Sequence, residues 1–391
     1  MESEPTALME PMLPALGNKE LEDLAMVLAR KSGALAGAMP VVVRQSIGML
    51  VRSMNCYYSN LIEGHDTHPR DIDRALSGDF AKDTATRHLQ LEARAHIEVQ
   101  QLIDSGKAPA IKPSGEFMRW AHQQFCSRLP EALLWVENPD TGERLKVTPG
   151  QFRQREVAVG RHIPPRAENL DSFMRRFEQA YEPARLSQVQ QVIAIAASHH
   201  RLLWIHPFLD GNGRVVRLFS HAWLQETGIG SSLWSVSRGL ARNVQEYKAR
   251  LMAADSPRKG DLDGRGNLSH EELVSFCRFF LSTAIDQVDF MAQLLDSPGF
   301  LTRLSLHVQE EVALKRLPKG SFALLREAWM AGEFKRGQAA TITGYKERAA
   351  REVLTALLEK GYLVSDHKLA PVRLGFPAEA VERWLPRLYP A

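Results

Sequence analysis

The chain has 391 residues, 44% of them hydrophobic and 24% charged, enough length and apolar content for two or three domains with cores of their own. Its 26 glycines and 21 prolines follow no period, which excludes collagenous and low-complexity classes. Lys and Arg number 49 against 46 Asp and Glu, so the net charge of +3 does not by itself select a polyanionic partner.

Three widely spaced cysteines, Cys56, Cys126 and Cys277, support neither a disulfide framework nor a cysteine zinc site, and fit a reducing compartment. Glu2, Glu4 and Glu10 stand where a signal peptide would carry basic residues, and no run of about 18 apolar residues follows anywhere. A cytoplasmic protein without a membrane segment is expected.

In chain order, apolar residues recur at helical spacing over 21–30, 46–61, 85–103 and 117–126. Turn residues at 137–142 break the pattern, and a short alternating segment, 154–159, ends at Ile163-Pro164-Pro165 and predicts a small hairpin. Helices resume over 170–181, 187–205, 215–227, 244–254 and 271–295. The last part, from about residue 315, predicts helices over 322–330, 338–342 and 346–360, then strands at 361–364 and 372–374. The fold class is mainly α, with no internal repeat.

The segment from His206 to Arg217, HPFLDGNGRVVR, joins two of these helices. Pro207 disfavours helical geometry at His206 and so ends the first helix. In Asp210-Gly211-Asn212-Gly213 two glycines permit positive φ and let backbone amides converge, and a second helix starts at about Arg214. Converging amides at a helix N-terminus make an anion site. Arg214 and Arg217, three apart, can hold successive phosphates. Asp210 suits a Mg²⁺ that also binds phosphate oxygens, and His206 has the titration range of a base. Together these parts describe group transfer from a nucleotide polyphosphate. A P-loop is not supported, because Gly106-Lys107 is followed by Ala108 and lacks the upstream glycine.

All eight specified positions match the pattern His-x-Phe-x-Asp/Glu-Gly-Asn-Gly-Arg-x-x-Arg, and the segment resembles the signature of the Fic (Fido) family. The resemblance implies a helical core and transfer of AMP from ATP to a Ser, Thr or Tyr hydroxyl of a protein, the enzyme itself included. It implies His206 as base, Asp210 as Mg²⁺ ligand, Gly211, Asn212 and Gly213 around the α- and β-phosphates, and Arg214 and Arg217 on the β and γ groups. The stretch from Gly150-Gln151-Phe152-Arg153 through Val157-Ala158-Val159-Gly160 to Pro165 is similar to the family's flap, a hairpin that covers the nucleotide and pairs with an extended target, with Val159 and Gly160 near ATP. Tyr247 and Asp255 fall where relatives contact adenine, and each is equally explained as a packing or capping residue.

Upstream, Ser59-Asn60-Leu61-Ile62-Glu63-Gly64 matches the family's inhibitory pattern. Ser59 and Glu63 share one helix face, and Gly64 reads as a helix stop. The resemblance implies that Glu63 competes with the ATP γ-phosphate for Arg217, and that the same Glu can serve AMP removal. The stretch 261–272 has the length of an EF-hand loop, but Arg265 occupies a ligand position, so a structural loop is expected. His199 and His200 read as helix packing residues.

Residues 315–391 hold 14 Lys/Arg and 8 Asp/Glu, a local net of +6. Three helices followed by two strands resemble a winged helix-turn-helix, with Lys346, Arg348 and Arg351 at the start of the recognition helix. The expected organisation is an N-terminal helical region with the inhibitory helix (1–114), a Fic domain (115–295) and a winged helix (315–391). The expected partners are a hydroxyl-bearing target protein and, through the last module, DNA or a second protein, with a homodimer left open. The competing function is a DNA-binding regulator whose Fic domain senses nucleotide or is only weakly active. Transfer of UMP or a phosphoryl group on the same scaffold is a third.

Overall fold

The computed structural model describes residues 4–138 and 141–389. In chain order its helices are α1 (Lys19–Gly37), α2 (Val41–Ile62), α3 (Pro69–Leu76), α4 (Thr84–Asp104), α5 (Gly115–Cys126), α6 (Leu170–Ala180), α7 (Gln188–Ile205) and α8 (Asn212–Glu226), then α9 (Val236–Arg242), α10 (Val244–Ala254), α11 (His270–Leu294), α12 (Ser297–Ala313), α13 (Ser321–Ala331), α14 (Ala339–Thr343), α15 (Glu347–Glu359) and α16 (Ala378–Trp384). The strands are β1 (Trp135–Glu137), β2 (Arg144–Lys146), β3 (Glu333–Phe334), β4 (Leu363–Val364) and β5 (Val372–Leu374). The fold is mainly helical. Among the described residues no single helix is long and apolar enough to cross a membrane.

Contacts divide the chain into two compact units that interleave in sequence. The first holds the described residues up to Ser32, with Asn55–Ser231 and Ser235–Gln287; the second holds Gly33–Met54, Ser232–Trp234 and the described residues from Val288 onward.

In the first unit α7 is central because it is apolar nearly all round, and a helix of that kind has no face to give to water. It starts on a capping box: the Ser187 hydroxyl accepts from the Gln190 N–H at 3.2 Å, and the Gln190 side chain accepts from the Ser187 N–H at 2.8 Å. Helices α6 and α8 pack on α7, and α4 and α5 pack on α8. Phe117, Phe219, Trp223, Tyr181 and Phe177 run as a chain of ring contacts through α5, α8 and α6. All five are fully buried, each contributing roughly 1.5–3 kcal/mol by burial.

The hairpin ladder lies earlier than the alternation of 154–159 suggests. β1 and β2 flank the 137–142 break and pair antiparallel with Val136 opposite Leu145. The 154–159 segment has no named strand and is closed by an isolated bridge between Val159 and His162. Its backbone is held instead by side chains, described below, which period-two patterning does not report.

In the second unit the three-stranded sheet has the order β3-β5-β4, antiparallel throughout, with Phe334 opposite Val372 and Leu363 opposite Leu374. Phe300 of α12 stacks on Trp329 of α13 with centroids 3.8 Å apart, and Trp384 of α16 meets Phe300 edge-on. The turn between α14 and α15 is made by Gly344 at φ +72°, where an L side chain would be strained.

Candidate active site

The joint between α7 and α8 is built by backbone geometry and one asparagine. His206 caps α7 in the left-handed region (φ 50°, ψ 60°), which costs a residue with a β-carbon about 1–2 kcal/mol. Its N–H donates to Leu202 O at 3.0 Å, and its carbonyl accepts from Arg153 Nε at 2.9 Å. Asn212 accepts from the Phe208 N–H at 2.9 Å and donates to the Phe208 carbonyl at 2.8 Å, closing the loop. Its side chain is therefore committed to the loop itself, which leaves its backbone for a ligand. Gly211 caps α8 at φ 80°. At Gly213 a β-carbon would collide with the Glu63 carboxylate and crowd Arg217, so the close approach requires glycine.

Both arginines of the joint are buried and both are held by carboxylates. Arg217 pairs with Glu63, donates from Nε to Ser59 Oγ at 2.9 Å and from Nη2 to the Ser59 carbonyl at 3.1 Å. Ser59 on the last turn of α2 and Glu63 just past its end thus grip one guanidinium, and Gly64 at φ 86° turns the chain away. Burial pushes the Glu63 carboxyl upward, but the charge and hydrogen bond of Arg217, with Arg214 and His65 adding, carry it below its ordinary value. Arg214 pairs with Glu92 of α4 and lies 3.5 Å from Asp210. Burial lowers its pKa to about 10, and it remains a cation at neutral pH. Glu92 is 4% exposed and also meets His65 Nδ1 at 2.7 Å.

Burial, then the neighbouring Arg153 charge, lowers the His206 pKa to about 4, so its imidazole is neutral near pH 7 and able to take a proton. Partial desolvation, with the Glu63 charge behind it, raises Asp210. One Asp210 oxygen accepts from the Gly211 N–H at 2.6 Å while the other is only loosely approached by Arg214. A half-exposed single carboxylate fits a hard cation that takes most of its ligands from phosphate and water.

The flap runs over the end of α7. Val159 and His162 exchange backbone hydrogen bonds of 2.9 and 3.0 Å around Gly160 at φ 60°, and His162 Nε2 reaches the Trp204 carbonyl at 2.7 Å. Val159 is 42% exposed and Ile163 79%, a surface turn that is not spent on the core.

Tyr247 and Asp255 have interior partners. The Tyr247 hydroxyl meets His199 Nε2 at 2.7 Å, His199 Nδ1 meets Ser220 at 2.8 Å, and Asp255 meets His200 Nε2 at 3.0 Å. They tie α10 to α7 and α8. In the 261–272 loop, Asp263 accepts from the Lys259 N–H at 3.0 Å and the Glu271 N–H at 2.7 Å, which commits its oxygens to the backbone.

Two neighbours of the joint, Glu92 and His122, carry no signal in the sequence. His122 of α5 stacks on Phe208 at 4.0 Å, accepts at Nδ1 from the Gly150 N–H at 2.9 Å and donates from Nε2 to the Asp210 carbonyl at 3.2 Å. Burial lowers its pKa to about 4, so it serves as a neutral tie between flap and joint. No local pattern announces these residues, since each lies on another element and only the fold brings it to the motif.

The Fic/DOC family model matches residues 115–224. Two relatives named protein adenylyltransferase Fic, from Drosophila erecta and Drosophila melanogaster, are each 42% identical over 79 residues, 20% of this chain and 16% of theirs. The chain thus matches about a sixth of the length of these curated relatives. A crystal structure of a Fic family protein from Desulfovibrio desulfuricans aligns over 90% of this chain and 95% of that one, with a TM-score of 0.51 and 17% identity. A Fic-1 segment from C. elegans aligns over 69% of this chain and 71% of its own, with a TM-score of 0.50 and 13% identity. These structures establish likeness of fold. The chain carries a Fic/DOC family domain at residues 115–224, on a mainly helical fold shared with Fic-family structures.

Proposed function

We propose that the protein is an adenylyltransferase that moves AMP from ATP to a Ser, Thr or Tyr hydroxyl of a protein and is restrained by its own Glu63. The observation that carries this reading is the grip of Ser59 and Glu63 on Arg217 beside a joint whose His206 is held neutral. A pair of buried arginines at a helix N-terminus suits a polyphosphate, and a carboxylate on one of them keeps the γ-phosphate from its partner. In the reaction the target oxygen bonds to the α-phosphorus, the bond from that phosphorus to the α,β-bridging oxygen breaks, pyrophosphate leaves, and His206 takes the hydroxyl proton. Asp210 would hold Mg²⁺ with the phosphates, and that ion supplies charge neutralisation at the leaving pyrophosphate. The named relatives support AMP as the group transferred.

The test is incubation of the wild type, Glu63→Gly and His206→Ala with labelled ATP, CTP, GTP and UTP, followed by intact-mass measurement. The expected result is a gain of AMP, largest on the Glu63 variant and absent without His206. Equal labelling of the wild type and the Glu63 variant overturns the restraint, and labelling of the His206 variant overturns the base. AMP removal by the wild type is part of the same reading and is followed by loss of label on dilution into unlabelled buffer.

For residues 315–391 we propose a winged helix-turn-helix that contacts DNA. The helix pair α14 and α15 with its glycine turn, the strands β4 and β5 that follow, and an Arg348 side chain 94% exposed support it. The proposal extends to a reducing, cytoplasmic setting, since Cys56, Cys126 and Cys277 are buried free thiols.

A further inference from the structure

Arg153 lies at the base of the flap and is 4% exposed, although its carboxylate neighbour Glu156 stands 3.8 Å away and is largely in solvent. Burying a guanidinium without a close counter-ion costs several kcal/mol unless its donors are satisfied. Here they are satisfied by three main-chain carbonyls from three places. Nε donates to His206 at 2.9 Å, Nη1 to Arg155 at 3.0 Å and Nη2 to Pro165 at 2.5 Å. The Arg153 N–H adds a bond to the Pro207 carbonyl at 2.9 Å. The planar fork of an arginine reaches all three carbonyls at once, and a lysine reaches at most one or two.

We propose that Arg153 is the positioning residue of this site: it fixes the left-handed backbone of His206 and pins the flap by holding its Arg155 and Pro165 carbonyls to one guanidinium. The roles of His206 and the flap rest on the adenylyltransferase reading, and the anchor itself rests on the hydrogen bonds alone. His206 tolerates its costly φ because its N–H is held by Leu202 and its carbonyl by Arg153. The charged and titratable groups facing the imidazole are Arg153 at the flap base, His162 in the flap turn and Glu63 just past α2. The first two disfavour the imidazolium and Glu63 favours it.

The experiment compares Arg153→Lys and Arg153→Met with the parent, each in the full chain with and without Glu63→Gly. Three readouts are taken: the NMR titration of the His206 ring, tryptic cleavage after the exposed Arg155 and Arg161, and the kinetics of labelled AMP transfer. In the Met variant the His206 midpoint moves up from about 4 towards its ordinary 6.5. In the Lys variant, which keeps the charge, it stays close to the parent. Both variants are cut in the flap about tenfold faster or more. In the Glu63→Gly background kcat falls roughly 10- to 100-fold with KM for ATP changed less than about threefold, as a misplaced base requires.

An unchanged midpoint in the Met variant together with parental cleavage in both variants overturns the proposal. Should either variant fail to fold, hydrogen exchange of the parent decides: the Arg153 amide exchanges about a hundredfold slower than that of exposed Gln154, and equal rates overturn the anchor. Loss of AMP transfer from every form, with the titration and cleavage shifts present, sinks the adenylyltransferase reading and leaves the anchor standing.

Discussion

Arg217 gives its Nε to Ser59 and its outer nitrogen to Glu63, so a γ-phosphate arriving at that guanidinium must displace a charge-assisted pair. Such a hydrogen bond contributes about 1.5–3 kcal/mol, which predicts a rise in AMP transfer of roughly 10- to 100-fold for Glu63→Gly. Glu63→Gln, which keeps the shape and loses the charge, should fall between Gly and wild type, and initial rates with labelled ATP check the order. The restraint is not a pH switch near neutrality. The Glu63 carboxyl lies below its ordinary value of 4.5, so the ion pair is fully present above that value and is lost only as pH falls through the depressed one. Asn212 offers a second residue-scale test. Asn212→Ala leaves the buried N–H and carbonyl of Phe208 without their side-chain partner, costing about 1–3 kcal/mol, and the Phe208 amide should exchange its hydrogen correspondingly faster.

At the scale of elements, α7 and α8 are legible in the sequence because everything that defines them is local: the Ser187 box, the apolar run, Pro207 and the glycines. The contact between Ser59-Glu63 and the joint is legible only through family resemblance, since 154 residues separate Glu63 from Arg217 and no periodicity spans that distance. α12 carries an inward stripe at Phe300, Leu304 and Val308 and an Asp296 cap on the Gly299 N–H, yet its inward face also holds His307, which blurs the pattern. The flap is the least legible. It is held in place by His122 and Arg153 rather than by a ladder, and single side chains on distant elements leave no mark on alternation. His122→Phe keeps a ring against Phe208 and removes both hydrogen bonds. It is expected to speed exchange of the Gly150 amide by about tenfold or more while the amides of α7 keep their protection, a difference that hydrogen exchange reads site by site.

Over the whole molecule the near-neutral charge hides an uneven distribution, −3 over residues 1–314 and +6 over 315–391. If the second unit meets DNA through α15, then Arg348→Glu should weaken duplex binding at low salt and flatten the slope of log affinity against log salt by about 1–2, measured by fluorescence anisotropy on the full chain. Retention of the parental slope would remove α15 from the contact. Acid affects the first unit in a different way. His96, His122 and His206 are held neutral by burial, with folded pKa values of about 3, 4 and 4 against an ordinary 6.5. The unfolded chain therefore binds more protons than the folded one between about pH 6.5 and 4, so stability rises with pH across that window and falls as pH drops through it. Urea unfolding followed by the near-ultraviolet signal of the Tyr181–Trp223 cluster should show midpoints that decline steadily from pH 6.5 to 4, with net proton uptake on unfolding. A midpoint flat over that range would mean that these imidazoles can be charged inside the fold. The neutral base on which the proposed chemistry depends would then be lost with it.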